Sequence, residues 1–536
     1  MEEDPRKASF APLTPLSFLL RATNFLGDRT AIIHGESRYT YRAFGKRVAR
    51  LAGALSDAAI TRGDTVAILA PNIPAMLEAH FAVPMIGAVL NPVNVRLDEE
   101  IVAGFLRQGD AKLLICDREF LDLGWRAAIR TGKDLPIVVI NDPETGLPGA
   151  KEFTDYEAFI ANSPQLLEMP LVEDEHQPIA LLHTSGTTGT PKAVLYSHRG
   201  TYLAALSNAL TFGLTPDSRF LWTWPMFHSN GLSFIWSVTA VGGVHICARS
   251  IDAKIVSAMI ADHRVSHFCA APLVLNMLAT DPAMGDAGIS HPVNCITGGS
   301  PPPLNMLAKL ESLGIDVTHQ YGASECCGPA TIAYSHPDWK ELEPGERQAM
   351  IARQGVPTAV IDDLMVADPD NMEPVARDGT SLGEIMVRGN AVVDGYYRDE
   401  EATATAFAEG WYHTGDIAVW YEDGSVEIKD RSKDMIISGG ENISSVEIEN
   451  VLFRHPDVSE AAVVARPDKL LFQTPCAFVD RVAGSTIGAE ELERHCRKFL
   501  AGLKVPRNFV FRTLPKTATG KIRKHALREM ALTDVD

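Results

Sequence analysis

The sequence predicts an α/β protein: a large N-terminal domain of stacked α/β layers with a β-rich subdomain, followed by a small α+β C-terminal domain. Three observations predict it. Short apolar strands alternate with amphipathic helical stretches through the first part of the chain, hairpin-bearing β segments begin near residue 355, and the tail reads helix, strand, strand, helix, strand, helix. With 536 residues and 46% hydrophobic content, the chain can bury a large core, enough for roughly three to four domain-sized units.

The elements follow in order. "AFGKRVARLAGALSDAAI" sets Phe44, Val48, Leu51 and Leu55 at helical spacing, "DTVAIL" is a strand, and "AMLEAHFAVPMIGAVLNPV" is a helix followed by a strand. Further strands are expected at "AKLLICD", "PIVVI", "GGVHICA" and "HFCAAP", with sheets largely buried, and "NDPETGLPGAKEF" reads as a connecting loop. In the β-rich part, "AVIDDLMVAD", "GEIMVRG" and "VWYEDGSVEIKD" are strands, the last folded on its "EDG" turn. After "DRSKDMIISGGENIS" come "SVEIENVLFRH", "EAAVVARPD", "TPCAFVDRV", "AEELERHCRKFLAG", "NFVFRTL" and "IRKHALREMAL", a tail of independent-domain size. The expected boundaries are 1–430 for the N-terminal domain and 435–536 for the C-terminal one, joined at 431–434.

A formal net charge of −19 argues against nonspecific binding to nucleic acid or anionic membrane, so a polyanionic ligand must meet a local basic site. The eight cysteines form no zinc or disulfide spacing and read as reduced thiols. The N-terminus lacks an apolar signal core, and the longest apolar run is broken by Pro71, Pro74, Glu78, His80 and Pro84, so no membrane span is expected. The terminal "TDVD" is no peroxisomal address, which leaves the cytoplasm as the expected compartment.

The densest run of small and hydroxyl residues is "LLHTSGTTGTPKAVLYSHRG", 181–200. It fails the P-loop spacing, because Pro191 stands five positions beyond Gly186 and Ala193, not a hydroxyl residue, follows Lys192. What remains is Thr184, Ser185, Gly186, Thr187, Thr188 and Lys192 in a donor-rich loop between two strands, a composition shared by phosphate cradles and ordinary hairpin turns. In "QYGASECCGPA", Tyr321 and Gly322 end a strand where a ring can stack on a base, and Glu325 can hold a divalent metal that bridges phosphates. Asp416 in "GWYHTGDIAVW" can accept two ribose hydroxyls or cap a turn. Arg431 and Lys433 stand at the domain boundary, Gly439 and Gly440 permit a tight turn or a close approach to the backbone, and Lys521 is a charge on a Pro/Thr/Gly turn before the last helix.

Taken together and in this order, "TSGTTGTPKAV", "YGASE", "YHTGD", "RSKDMIISGGENIS" and "PKTATGKIRK" make the chain resemble the adenylate-forming superfamily of acyl-CoA synthetases, aryl-CoA ligases, luciferases and peptide-synthetase adenylation domains. "SGGENISSVEIE" and "ECCGPATIAY" are most similar to the short- and medium-chain acyl-CoA branch that includes methylmercaptopropionate-CoA ligases. The resemblance implies that a carboxylate attacks the α-phosphate of ATP to give acyl-AMP and pyrophosphate, after which coenzyme A displaces AMP. It implies a mobile C-terminal domain that rotates between the half-reactions, with Lys433 at the hinge and Gly440 beside the pantetheine path. It assigns Lys521, Glu325, His228 and Thr188 to catalysis, with Glu325 holding Mg²⁺. Thr184, Ser185, Gly186, Thr187, Thr188 and Lys192 would hold the β- and γ-phosphates. Gly299, Ser300, Pro301, Tyr321, Gly322, Ala323 and Ser324 would border the nucleotide, Asp416 the ribose, and Arg431 the ribose or phosphate, while Gly439 and Gly440 would line the thiol path.

The resemblance places the acyl pocket near His228, Asn230, Phe234, Trp236 and Gly298, and the bulky rings there imply a short, medium or compact aryl acid. Core packing accounts for Phe234 and Trp236 equally well. One departure stands out. Where relatives commonly carry Trp-Gly-Glu on the CoA nucleotide surface, this chain has Leu471, Phe472 and Gln473, so CoA or another thiol acceptor is open; Arg466, Lys469, Lys504 and Arg507 are basic residues nearby in sequence. A carrier-loading adenylation enzyme, a luciferase-like oxygenase and a nucleotide-binding protein without catalysis are the competing classes. The expected partners are a small carboxylic acid, ATP and CoA, with homodimerisation left open.

Overall fold

The computed structural model describes residues 11–161, 163, 172–184, 191–299, 302–334, 337–516 and 522–533. The chain packs as two compact units, one of residues 1–364 with 387–412, the other of 365–386 with 413–536. The four-stranded β layer, which the sequence reading assigned to the N-terminal domain, packs as one unit with the tail.

In the first unit, among the described residues, seven strands run in the order Thr154–Asp155, Ile137–Ile140, Ala111–Asp117, Thr65–Leu69, Val89–Pro92, Pro178–His183 and Ala193–Ser197. All of these pairs are parallel except the last, Pro178–His183 with Ala193–Ser197. A second sheet of nine strands has a parallel centre containing Thr30–His34, Val244–Cys247, Arg219–Trp222, His267–Ala270, Val293–Thr297 and Ile315–Tyr321. Parallel strands need crossovers and cover on both faces, which explains their near-continuous apolar sequences. The helix Tyr41–Asp57 buries Phe44, Val48, Leu51 and Leu55, the four positions whose spacing predicts it, and Thr40 caps it by accepting from the Ala43 N–H.

The helix Pro74–Met85 is buried on every side, and its one carboxylate, Glu78, is met by Arg47 at 2.6 Å and by the Tyr156 hydroxyl at 2.6 Å. A second ionic cluster joins strand ends of the two sheets. Arg249 reaches Asp117 and Asp142, each at 2.6 Å, and His34 lies 2.9 Å from Asp142. Burial pushes the Asp142 carboxyl up, but His34 and Arg249 outweigh it and hold the group down at about 2.

In the second unit, the strands Asp363–Ala367, Leu382–Arg388, Tyr412–Trp420 and Val426–Arg431 form one sheet. The tail pairs Val458–Asp468 with Phe472–Arg481 antiparallel, adds Asn508–Phe511 in parallel, and packs the helices Ser445–Phe453, Ala489–Cys496 and Lys524–Thr533. The expected helix–strand–strand–helix–strand–helix order is observed. The eight cysteines are free and buried. Among the described residues no helix is long and apolar enough to cross a membrane.

Candidate active site

The hydroxyl-rich run is a hairpin, as its flanking apolar strands predict. Its strands pair up to His183 with Ala193, and the Thr184 N–H donates to the Lys192 carbonyl at 2.8 Å, closing the neck of the loop. Ser185, Gly186, Thr187 and Thr188 lie outside the described residues. At the neck, the Lys192 ammonium sits 4.4 Å from the ring centre of Tyr396. On the same tyrosine, the hydroxyl donates to Glu325 Oε1 at 2.7 Å. One ring therefore links the phosphate-loop lysine to the carboxylate expected to hold a metal. Burial and then the Glu325 charge push the Tyr396 hydroxyl pKa upward, which keeps its proton in place for that hydrogen bond.

Glu325 follows the strand Ile315–Tyr321 through Gly322, Ala323 and Ser324, and its backbone carbonyl accepts from the Val393 N–H at 2.9 Å. In open α/β sheets, ligands sit beyond the carboxyl ends of parallel strands, which is where this turn lies. The neighbouring glycines have a packing reason. A Cβ on Gly298 would fall 2.1 Å from Gln320 Nε2, and one on Gly322 would fall 2.3 Å from the Gly328 carbonyl oxygen. Gly299 has φ +90°, a conformation that favours glycine, while Ser300 and Pro301 lie outside the described residues.

A segment of left-handed backbone borders the same turn. Ser229, Leu232 and Ser233 have φ of 46°, 55° and 65°. Such residues cost about 1–3 kcal/mol each and cluster at functional sites, where surrounding bonds must hold them. Here the Ser233 hydroxyl donates to the Cys327 carbonyl at 2.6 Å, Asn208 Nδ2 donates to the Leu232 carbonyl at 2.7 Å, and Ser229 Oγ lies 3.3 Å from Ser324 Oγ. His228, half-buried, opens this segment, with its ring 5.6 Å from Trp224. The Asn230 side chain lies outside the described residues. Phe234 and Trp236 are core members: Phe234 stacks on Phe220 at 5.0 Å, and Trp236 meets His80 edge-on at 5.6 Å.

The second unit carries its own group of expected residues. Asp416 and Arg431 are cross-strand partners, with Arg431 Nε 3.2 Å from Asp416 Oδ1. Gly415, at φ +72° within the strand Tyr412–Trp420, donates its N–H to Glu384 Oε1 at 2.6 Å, which fixes the backbone before Asp416. Partial burial, with Arg431 and Arg528 nearby, lowers the Lys433 ammonium to about 8 against the pull of Asp434 and Asp416. Asp434 pairs with Arg528, and Asp430 Oδ2 accepts from the Ser445 N–H at 2.6 Å. Gly439 and Gly440, at φ +59° and +89°, form the two-residue turn of a hairpin joining Ile436–Ser438 to Glu441–Ile443, one of the two roles that a glycine pair after a strand allows. Among the described residues, no atom lies within 4 Å of a Cβ placed on Gly440. Phe472 is 84% exposed, Gln473 Oε1 accepts from the Ile437 N–H at 2.9 Å, and Lys504 is engaged by Glu447 at 2.7 Å. Lys521 lies outside the described residues.

Sequence reasoning missed Tyr396 and Ser229. Their only signals are an aromatic pair after a glycine in "VVDGYYRD" and a serine after the expected gate histidine, and it is tertiary pairing that brings both to Glu325 and Ser324. Among the described residues no cluster of three His, Cys, Asp or Glu side chains could hold a metal alone. Mg²⁺ commonly uses one or two carboxylates together with substrate phosphates, and Glu325, 7% exposed and outside any ion pair among the described residues, fits that role.

Comparison with known proteins shows the family. Residues 19–397 match the AMP-binding enzyme family, and residues 447–521 match the AMP-binding enzyme C-terminal domain. The chain is 43% identical to an acetate–CoA ligase of Humulus lupulus, over 98% of this chain and 95% of the relative, and 44% identical to a peroxisomal acetate/butyrate–CoA ligase of Arabidopsis thaliana over the same shares. It is 41% identical to a peroxisomal benzoate–CoA ligase of Arabidopsis thaliana over 98% of this chain and 94% of that one. Among solved structures, o-succinylbenzoate CoA synthetase of Bacillus subtilis with its acyl-adenylate superposes with a TM-score of 0.81 at 26% identity, covering 95% of this chain and 97% of that one. The chain belongs to the AMP-binding enzyme family, within the adenylate-forming superfamily.

Proposed function

We propose that this protein is an ATP-dependent acid–CoA ligase acting on a short- or medium-chain or compact aryl carboxylic acid. The observation that carries this reading is the Lys192–Tyr396–Glu325 constellation at the neck of the hydroxyl-rich hairpin, in a chain similar throughout to ligases named for acetate, butyrate and benzoate. An acidic protein that binds a nucleoside triphosphate needs such a local concentration of donors, and hydrogen bonds to ionised groups contribute about 1.5–3 kcal/mol each.

In this reading, Lys192 and the loop Thr184–Thr188 hold the β- and γ-phosphates, which become the pyrophosphate leaving group. Glu325 would hold Mg²⁺, which would supply charge neutralisation on the phosphates. Asp416 accepts hydrogen bonds from the ribose, and Arg431, its cross-strand partner, contacts the ribose or phosphate. Lys521 draws the attacking carboxylate toward the α-phosphate. The reaction needs positioning and electrostatic stabilisation rather than covalent catalysis by the protein. His228 gates the acid, with Phe234 and Trp236 limiting its length. Alternation of residues 435–536 about 431–434, with Lys433 as the hinge, belongs to the same reading, as does a cytoplasmic setting. A fluorescent fusion that collects in peroxisomes would correct the latter.

Lys521→Ala tests the two-step reading. It should lower carboxylate-dependent pyrophosphate exchange about a hundredfold or more while largely sparing thioester formation from supplied acyl-AMP. Equal loss of both half-reactions contradicts the assignment.

A further inference from the structure

Among the described residues, Tyr396 touches both the expected metal carboxylate and the phosphate-loop lysine, and it does so through two separable chemistries. Its hydroxyl donates to Glu325 Oε1 at 2.7 Å, while its π face lies 4.4 Å from the Lys192 ammonium. The tyrosine is thus in contact with both charges. A direct Lys192–Glu325 ion pair would neutralise both groups and take the carboxylate from the metal and the ammonium from the phosphates. A phenol between them prevents this. It uses one carboxylate oxygen for a neutral donor, leaves the second oxygen of Glu325 available, and holds the ammonium by a weak cation–π contact.

The tyrosine is itself anchored. Its N–H donates to Thr403 Oγ1 at 2.9 Å, its backbone bridges to Val194 beside Lys192, and its ring packs edge-on against Phe407 at 5.8 Å, which in turn stacks on Tyr412 at 5.1 Å. The adjacent Tyr397 N–H donates to the Ala193 carbonyl at 2.7 Å, so the 396–397 segment is fastened to the strand that carries the loop.

We propose that Tyr396 is a positioning residue that keeps Glu325 and Lys192 apart and presents each to a different part of the ligand: the carboxylate to the divalent cation, the ammonium to the departing pyrophosphate. The proposal rests on the ligase reading above and makes the two functions separable by substitution. Tyr396→Phe keeps the ring and removes the hydroxyl, whereas Tyr396→Leu removes both.

Two binding measurements on the full-length protein test it: Mn²⁺ titration followed by electron paramagnetic resonance in the presence of a non-hydrolysable ATP analogue, and calorimetric titration of inorganic pyrophosphate without metal. Tyr396→Phe should weaken Mn²⁺ binding about tenfold and leave metal-free pyrophosphate binding at the wild-type value. Tyr396→Leu should show the same Mn²⁺ defect and, in addition, bind pyrophosphate about threefold or more weakly. Glu325→Gln is the reference. If it binds Mn²⁺ as wild type does, the metal reading of Glu325 and the proposal fall together. If it is impaired while Tyr396→Phe is not, the proposal alone falls. Equal loss of both ligands in Tyr396→Phe, with its thermal unfolding unchanged, also overturns it, because the hydroxyl would then serve no separable function.

Discussion

Asp416 shows how much a single residue's role depends on register. The sequence places it at the entrance to a strand, where a carboxylate can cap a turn or receive a sugar. The fold sets it opposite Arg431, 3.2 Å from Nε, and leaves it 7% exposed. Asp416→Asn keeps the shape and removes the charge, so the KM for ATP should rise about tenfold to a hundredfold with little change in thermal unfolding. A variant with wild-type steady-state kinetics for ATP would make Asp416 a structural partner of Arg431 only. At this scale, residues set by local chemistry were legible: Lys192, Glu325 and the glycine pair stand beside strand ends or in turns, as their motifs imply, whereas Asp416, expected at the entrance to a strand, lies in the middle of Tyr412–Trp420, paired with Arg431. Tyr396 was not, because its role exists only once residues 71 positions apart in sequence are brought together.

Elements were legible wherever their period was clean. The helix Tyr41–Asp57 and the strands Thr65–Leu69, Ala111–Asp117 and Ile137–Ile140 follow directly from apolar spacing, and all six elements of the tail appear in the order read. The hairpin Ile436–Ile443 was legible only as a strand followed by a glycine pair with two possible roles, because its strands are three residues each, too short to show a period, and a Gly-Gly turn has the same composition as a ligand-approach loop. Glycines in two elements make contrasting predictions. Gly298→Ala places a methyl 2.1 Å from Gln320 Nε2 and 2.9 Å from the Gln320 carbonyl oxygen, so the strand ending in Tyr321 must shift, at a cost of about 1–3 kcal/mol together with weaker nucleotide binding. Gly440→Ala meets no atom of the described residues within 4 Å, and its cost, about 1 kcal/mol, comes from the left-handed backbone alone. Denaturant unfolding with nucleotide titration separates the two. A Gly298→Ala variant as stable as wild type contradicts the packing account.

At the scale of the whole molecule, the buried histidines set the response to acid. Burial lowers His80, His198 and His319 to about 4, and His183 and His245 to about 3, against about 6.5 in the unfolded chain. Between those values the unfolded state binds more protons than the folded one, so stability falls as pH falls through this window. The apparent Tm should hold above about pH 6.5 and drop progressively toward pH 4. A flat profile down to pH 4 would mean that these rings are protonated in the fold. The division into stacked α/β layers, a β layer and a terminal α+β part was readable from the changes in texture along the chain. The grouping of the β layer with the tail was not, because compactness depends on which faces meet, and the sequence of one strand does not name its partner. The two-step chemistry is the claim on which the residue roles depend. Product analysis with ATP, Mg²⁺ and a panel of short and aryl acids, with and without CoA, tests it most directly. For the acid that fits, AMP and acyl-CoA should form in equal amounts, and when CoA is omitted pyrophosphate should be limited to about one equivalent per enzyme, with the nucleotide held as acyl-AMP. ADP as the nucleotide product, or AMP release independent of both acid and CoA, would contradict it.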